Sequence, residues 1–324
     1  MSTKYLSIDC GKANTKVIAY DPGSSDIRTG IIATNVAKPN ALVALCKTRA
    51  HHTVKIESDD KEISGEWMIG ATGGETTYSN SKKDMIHKIM TLTAIALVTD
   101  NGDTIIPSVG CPLSVFEDPD QKADLYNYLF PNGRVDITVD GDNRFYYIEK
   151  DKGLIFPESF GALFLYPDKF IGHTGIVDIG GLNLNASYFD SSRLVSDLCT
   201  TEKLGCFSIV SAVRSRLNAF CDASFSNKDA EIFLLAGEVS GSKGSRKVIE
   251  EVLSHHLKRI TDVLQEWDLE RMNFIFIGGT SKLLQKYLEE RFKDRVFIPE
   301  ESEFVNCSGF LKAMLLGEGY NCPF

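Results

Sequence analysis

The feature that most constrains this chain is a short pattern that occurs twice. Asp9-Cys10-Gly11-Lys12-Ala13-Asn14 stands near the start and Asp178-Ile179-Gly180-Gly181-Leu182-Asn183 just past the middle. Both read D-x-G-x-x-N, and in each copy a further aspartate follows the asparagine by seven residues, Asp21 in the first and Asp190 in the second. An apolar, β-prone run precedes each pattern (5–8 and 175–179), and another follows it (15–20 and 184–189). Each copy therefore reads as strand, tight turn, strand. A single match of this length arises by chance, but the same motif in the same context twice makes an internal duplication the better reading. At 324 residues the chain is long enough for two cores, and we expect one domain over 1–155 and a second over 156–324.

The intervening sequence supports an α/β chain. Apolar residues at helical spacing predict a helix over 84–98, and 104–110 reads as a buried strand halted by Cys111-Pro112. Short strands broken by charged turns are expected in 53–69, a helix over 119–130, and a hairpin over 134–148 around Asp140-Gly141. Pro157 is expected to start a helix reaching about residue 166, since proline is best tolerated at the first helical position. In the second half, helices are expected over 207–220, 246–267, 282–292 and 308–316, with a buried strand over 273–277. The linker between halves is expected near 150–157.

Composition removes several function classes. Apolar residues are 43% and charged residues 24%, which are globular values. No run approaches the ~20 apolar residues of a membrane span, and residues 1–6 lack the basic start and apolar middle of a signal peptide. The eight cysteines form no C-x-x-C pair, so neither a zinc site nor a redox motif is indicated. They read as reduced thiols, and the expected location is cytoplasmic. A net charge of −9 opposes a broad direct grip on nucleic acid, so any work on DNA is expected to pass through a partner. The adjacent pairs His51-His52 and His255-His256 are read as exposed or locally packed, because helical metal pairs need i, i+4 spacing. The acidic stretch 299–303 is read as a solvated loop.

The two turns carry the chemistry. A polyphosphate needs backbone N–H groups near its oxygens, and glycine removes the side chain that would obstruct them. It also needs a divalent cation, which a carboxylate holds directly or through water. Asp9 and Gly11 supply these features in the first turn, and Lys16 adds a point charge. Taken alone, this segment is equally an ordinary hairpin with a polar turn. The second turn, with Asp178, Gly180 and Gly181, favours a clamp on phosphates and metal from both sides. A third element is 274–277 followed by Gly278-Gly279-Thr280 and a helix. It suits a base or ribose packed on bare backbone, though a tight strand-to-helix connection explains it too.

In this order the three elements resemble the first phosphate loop, second phosphate loop and adenosine loop of the actin, hexokinase and heat-shock chaperone superfamily. The chain is most similar to the bacterial ParM (StbA-like) plasmid-segregation actins, over nearly its whole length. Ile8-Asp9-Cys10-Gly11-Lys12-Ala13-Asn14-Thr15-Lys16 resembles that family's D-x-G-x-x-N-x-K start, and Val177-Asp178-Ile179-Gly180-Gly181 its D-[IL]-G-G loop. Phe156-Pro157-Glu158-Ser159 resembles its P-E-S joining segment, and Val109-Gly110-Cys111-Pro112-Leu113 its G-x-P-L strand end. Where the second loop usually continues with a hydroxyl residue this chain has Leu182, and Asn183 is the candidate to compensate.

The resemblance implies an actin-like fold: two related ribonuclease-H-like domains, mixed sheets flanked by helices, a nucleotide cleft between them, and a last helix returning toward the first domain. It implies an ATPase, or GTPase, with Glu158 placing the water that attacks the γ-phosphate and Asp9 and Asp178 holding Mg through water. Helix-dipole complementation is the plainer role for Glu158. Nucleotide contacts fall to Gly11, Lys12, Ala13, Asn14 and Lys16, to Gly180, Gly181, Leu182 and Asn183, and to Gly278, Gly279 and Thr280. Glu202 and Lys203 stand where the family contacts ribose or base. The implied partners are further copies of the chain in a head-to-tail filament, and an adaptor protein bound to centromere-like plasmid DNA. A small-molecule kinase or exopolyphosphatase of the same superfold, and a nucleotide-binding scaffold without turnover, are the alternatives.

Overall fold

The computed structural model describes residues 2–39, 52–71, 74–79, 81–322 and 324; His51 and one of the eight cysteines, Cys46, lie outside them. The chain divides into two compact units, Met1–Leu165 with Asn306–Phe324, and Tyr166–Val305.

The first unit opens with β1 (Thr3–Cys10), β2 (Asn14–Asp21), β3 (Asp26–Ala33), β4 (Val36–Ala37), β5 (His52–Glu57) and β6 (Gly65–Ile69). Helix α1 (Met85–Val98) leads to β7 (Thr104–Cys111), then α2 (Leu113–Phe116), α3 (Pro119–Leu129), β8 (Gly133–Val139), β9 (Asp142–Ile148), β10 (Leu154–Pro157) and α4 (Gly161–Leu165). The sheet order is β3-β2-β1-β7-β9-β8-β5-β6-β4, with β10 also on β7. The strands β1, β7 and β10 are mutually parallel. Burial on both faces explains the near-continuous apolar reading of β1 and β7.

Local signals account for most boundaries. The Asp84 side chain accepts the His87 N–H at 2.9 Å and caps α1. The turn between β8 and β9 has φ of 52° at Asp140 and 89° at Gly141, the two positive angles a tight hairpin needs. Ile89, Met90 and Ile95 of α1 pack with Leu6, Ile8 and Val109 in one apolar core.

The expected helix from Pro157 is not formed. Leu154–Pro157 instead pairs in parallel with Ser108–Cys111, and Glu158 N–H continues to the Cys111 carbonyl at 2.7 Å. The residue before a proline is biased to extended backbone, and here a ladder satisfies that bias. Helix α4 starts only at Gly161. Residues 156–165, allotted to the second half on sequence, pack within the first unit.

The second unit contains β11 (His173–Ile179), β12 (Leu184–Asp190), β13 (Arg193–Leu194), β14 (Thr200–Glu202), α5 (Cys206–Cys221), α6 (Asn227–Ala236), α7 (Ser245–Val263), β15 (Asn273–Ile277), α8 (Gly279–Leu283), α9 (Gln285–Phe292) and β16 (Val296–Phe297). Its sheet runs β13-β12-β11-β15-β16, with β14 on β12, and β11, β15 and β16 parallel. Val177, Ile179, Phe274, Phe276 and Phe292 meet Ile249 and Ile260 of α7 in the second core. Helix α6, unforeseen from sequence, begins with a reciprocal Ser226–Asp229 capping box. Helix α7 ends at Val263, short of the expected 267, and Trp267 turns inward to donate its Nε1–H to the Leu198 carbonyl at 2.9 Å. The single helix expected over 282–292 is two, α8 and α9. Helix α10 (Val305–Gly317) closes the chain and belongs, from Asn306 on, to the first unit. Among the described residues, no helix is long and apolar enough to cross a membrane.

Candidate functional site

The two D-x-G-x-x-N segments fold alike. In the first, β1 and β2 pair so that Asp9 lies opposite Lys16, and Gly11 N–H donates to the Asn14 carbonyl at 3.1 Å. In the second, Asp178 lies opposite Asn185, and Gly180 N–H donates to the Asn183 carbonyl at 2.9 Å. Register and turn closure are the same. Each aspartate stands near the carboxyl end of a strand with a parallel neighbour, where open α/β sheets bind their ligands.

In the first unit the carboxyl ends of β1, β7 and β10 bring together Asp9, Gly110 and Glu158. A buried lysine that the sequence reading passed over ties them. Lys82 has a side chain only 4% exposed; its Nζ pairs with Glu158 Oε1, stands 3.8 Å from Asp9 Oδ1, and donates to the Gly110 carbonyl at 3.5 Å. Burial works against the charge on Lys82, but the Glu158 and Asp9 carboxylates outweigh it and raise the ammonium pKa. Burial likewise opposes ionisation of Asp9, and Lys16 and Lys82 overcome it, holding the carboxyl below its ordinary range. Lys16 Nζ lies 3.3 Å from Asp9 Oδ2. No local signal marks Lys82, one polar residue in a polar stretch; only its burial identifies it.

Lys12 turns into the protein, donating to the Ser81 carbonyl at 2.7 Å and standing 3.9 Å from Asp84, and burial lowers its pKa to about 8. The Ala13 carbonyl accepts Thr34 N–H at 2.8 Å, while Asn14 opens β2 with its side chain exposed. After Glu158 the chain reverses through Ser159, a buried residue at φ 74°. Left-handed backbone on a non-glycine residue is costly and concentrates at functional positions.

In the second unit, β15 ends at Gly278, whose φ is 83°. A Cβ there would lie 2.5 Å from the Ile179 carbonyl oxygen and 2.7 Å from Asp178 Oδ1, so only glycine lets the strand end lie against the buried carboxylate. Thr280 of α8 donates its hydroxyl to the Gly180 carbonyl at 2.9 Å, and Gly279 opens that helix. The first amides of α5, on Cys206 and Phe207, donate to the carbonyls of Gly180 and Gly181 at 3.0 and 2.9 Å. Asp178, Gly180, Gly181, Gly278 and Thr280 thus form one connected constellation. Leu182 is buried, 8% exposed, and serves packing. Asn183 is half-buried beside it, and Glu202 and Lys203 are exposed at the end of β14. The acidic stretch is more structured than a solvated loop: Ser302 is buried and its carbonyl accepts Gly278 N–H at 2.8 Å. His256 is buried with Nε2 3.0 Å from the Leu204 carbonyl, and its neighbour His255 is exposed.

The donor set suits a magnesium-bound nucleotide. Magnesium takes hard oxygen ligands and keeps several waters, so one or two carboxylates are enough. A Cβ on Gly11 would lie 2.8 Å from the Asn14 carbonyl oxygen, so the tight closure of the first turn requires glycine.

Residues 7–161 match the family described as the N-terminal domain of actin-like proteins. No curated protein matches the chain in sequence. Among solved structures, the Alp12 filament is similar at 24% identity with a TM-score of 0.71, covering 98% of this chain and 100% of that one. A 15-stranded ParM filament from Clostridium botulinum is similar at 16% identity and TM-score 0.74, over 98% and 100% of the two chains. The archaeal actin homologue Ta0583, in complex with ADP, is similar at 18% identity and TM-score 0.72, over 95% and 98%. The fold shared with these structures is the actin-like fold.

Proposed function

We propose that this chain, which has the actin-like fold, is a nucleotide-dependent ATPase of the ParM/StbA type that polymerises with nucleotide bound and disassembles after hydrolysis. The observation that carries this reading is the identical register of the two acid–glycine turns at the carboxyl ends of parallel strands. ADP in a structural neighbour supports the choice of ligand.

Asp9 in the first unit and Asp178 in the second are the carboxylates that would hold magnesium, and the turns 11–14 and 180–183 are the segments whose backbone amides would meet phosphate. Lys16 supplies a positive charge beside Asp9. Gly278, Gly279 and Thr280 line the adenosine side, with Glu202 and Lys203 as outlying contacts. Glu158 accepts a hydrogen bond from the attacking water and holds it in line. Phosphoryl transfer needs little else from a protein beyond positioning and charge. Magnesium supplies neutralisation of the developing phosphate charge when bound. Filament assembly requires a head-to-tail contact that does not close on itself, and nucleotide state biases subunit affinity by favouring one conformation. Work on plasmid DNA proceeds in the cytoplasm through a DNA-bound adaptor, in keeping with the charge of −9.

Light scattering and phosphate release, followed together with ATP, GTP and a non-hydrolysable analogue, test this. Scattering that rises on nucleotide addition and decays with turnover is the expected result, and persistence with the analogue completes it. Turnover without scattering points to a metabolic phosphotransferase, and scattering without turnover to a scaffold.

A further inference from the structure

We propose that Lys82 is a positioning residue for hydrolysis, its ammonium holding the Glu158 carboxylate where it orients the attacking water; this rests on the role given to Glu158 above. A buried ammonium is tolerated only when paired and hydrogen-bonded, and Lys82 has the Glu158 and Asp9 carboxylates and the Gly110 carbonyl beside it, Asp9 as an ion-pair neighbour at 3.8 Å. The contact with Glu158 is the shortest of the three. Asp9 is matched on its other oxygen by Lys16 at 3.3 Å, so the Lys82 charge is left principally to Glu158.

The backbone that carries Lys82 is fastened on both sides. Lys12 Nζ grips the Ser81 carbonyl at 2.7 Å, and Lys83 N–H donates to Ser81 Oγ at 3.0 Å. Asp84 then caps α1. Glu158 is fastened too, by its N–H to the Cys111 carbonyl on one side and by the left-handed Ser159 on the other. Among the described residues the buried Ser159 hydroxyl has no hydrogen-bond partner, so the turn is not held there by its own side chain. With both backbones set, the ion pair restrains the Glu158 carboxylate against rotation about its flexible side chain. Preorganisation of this kind raises the rate of the chemical step without tightening substrate binding.

The test uses the full chain with Lys82→Met, Lys82→Arg and the double variant Lys82→Met/Glu158→Gln. Magnesium and a fluorescent ATP analogue report affinity, single-turnover phosphate release reports chemistry, and thermal melting reports folding. Expected for Lys82→Met is a loss of about 100-fold in single-turnover rate, the size typical of removing one group that sets up a reacting proton or charge, with affinity changed less than about threefold. Lys82→Arg should return the rate to within about tenfold of the parent chain, since it keeps the charge but changes the geometry. The double variant should melt above Lys82→Met, because the carboxylate that loses its Lys82 partner is no longer charged, yet stay inactive. Turnover by Lys82→Met within threefold of the parent overturns the proposal. So does an equal loss of affinity and rate in both Met and Arg variants, which marks a structural role. If Lys82→Met does not fold, the Arg and double variants decide. A parent chain that binds no magnesium nucleotide overturns the functional reading and this inference together; normal parent turnover with an indifferent Lys82 overturns the inference alone.

Discussion

Gly278 has less freedom to change than any other residue of the second unit's constellation. Its positive φ and the 2.5 Å approach of a would-be Cβ to the Ile179 carbonyl forbid a side chain. Gly278→Ala is expected to cost ~1–3 kcal/mol, the usual range for backbone strain at such a position, and to weaken magnesium-nucleotide binding through displacement of Asp178. Urea denaturation and fluorescent-nucleotide titration measure both, and an unchanged midpoint would remove the argument. A second residue-scale expectation concerns pH. Burial lowers the His256 pKa to about 4 from an ordinary 6.5. The unfolded chain therefore binds the proton first on acidification, so stability is lost as pH falls from about 6.5 toward 4. In His256→Gln that part of the acid limb should flatten when the two unfolding free energies are compared across pH 4 to 7.

At the scale of elements, β10 and α10 are the pieces on which the placement of Glu158 depends. Phe156 stacks on Phe310 of α10 with ring centroids 5.0 Å apart, and Phe310 is fully buried. Gly309 lies so close to Gly161 that a side chain there would overlap the helix it faces. Phe310→Ala is expected to cost ~3–5 kcal/mol and to slow single-turnover hydrolysis, because β10 loses the ring that holds it to the unit. Guanidinium unfolding with phosphate-release kinetics checks this, and full turnover in a destabilised variant would separate α10 from the site. Elements with local signals were legible in the sequence: the capped α1, the β8–β9 hairpin, and the two twin turns. The strand ending at Pro157 was not, because its partner β7 is remote in the chain and proline reads equally as a helix start. Helix α6 was missed for want of a strong apolar stripe.

For the molecule as a whole, the net charge of −9 makes two expectations. Duplex DNA should show no mobility shift with this chain alone at roughly 0.15 M salt, since binding scales with phosphates neutralised by basic groups; a shift would overturn the need for an adaptor. Assembly between like-charged copies should become easier as salt rises from about 0.02 to 0.15 M, because screening weakens self-repulsion. Sedimentation of the nucleotide-loaded protein tests it, and a critical concentration that increases with salt would instead place attractive ion pairs at the contact. What the residue order determined by itself was the duplication, the strand–turn–strand geometry around Asp9 and Asp178, and the α/β class, all of which follow from short-range periodicity and turn chemistry. Tertiary structure alone decided that 156–165 pack with the first unit, that Lys12 faces inward, and that Lys82 joins Asp9 to Glu158. Those outcomes depend on burial and on pairings between segments distant in sequence, and a lysine carries no mark of whether water or a carboxylate will receive its charge.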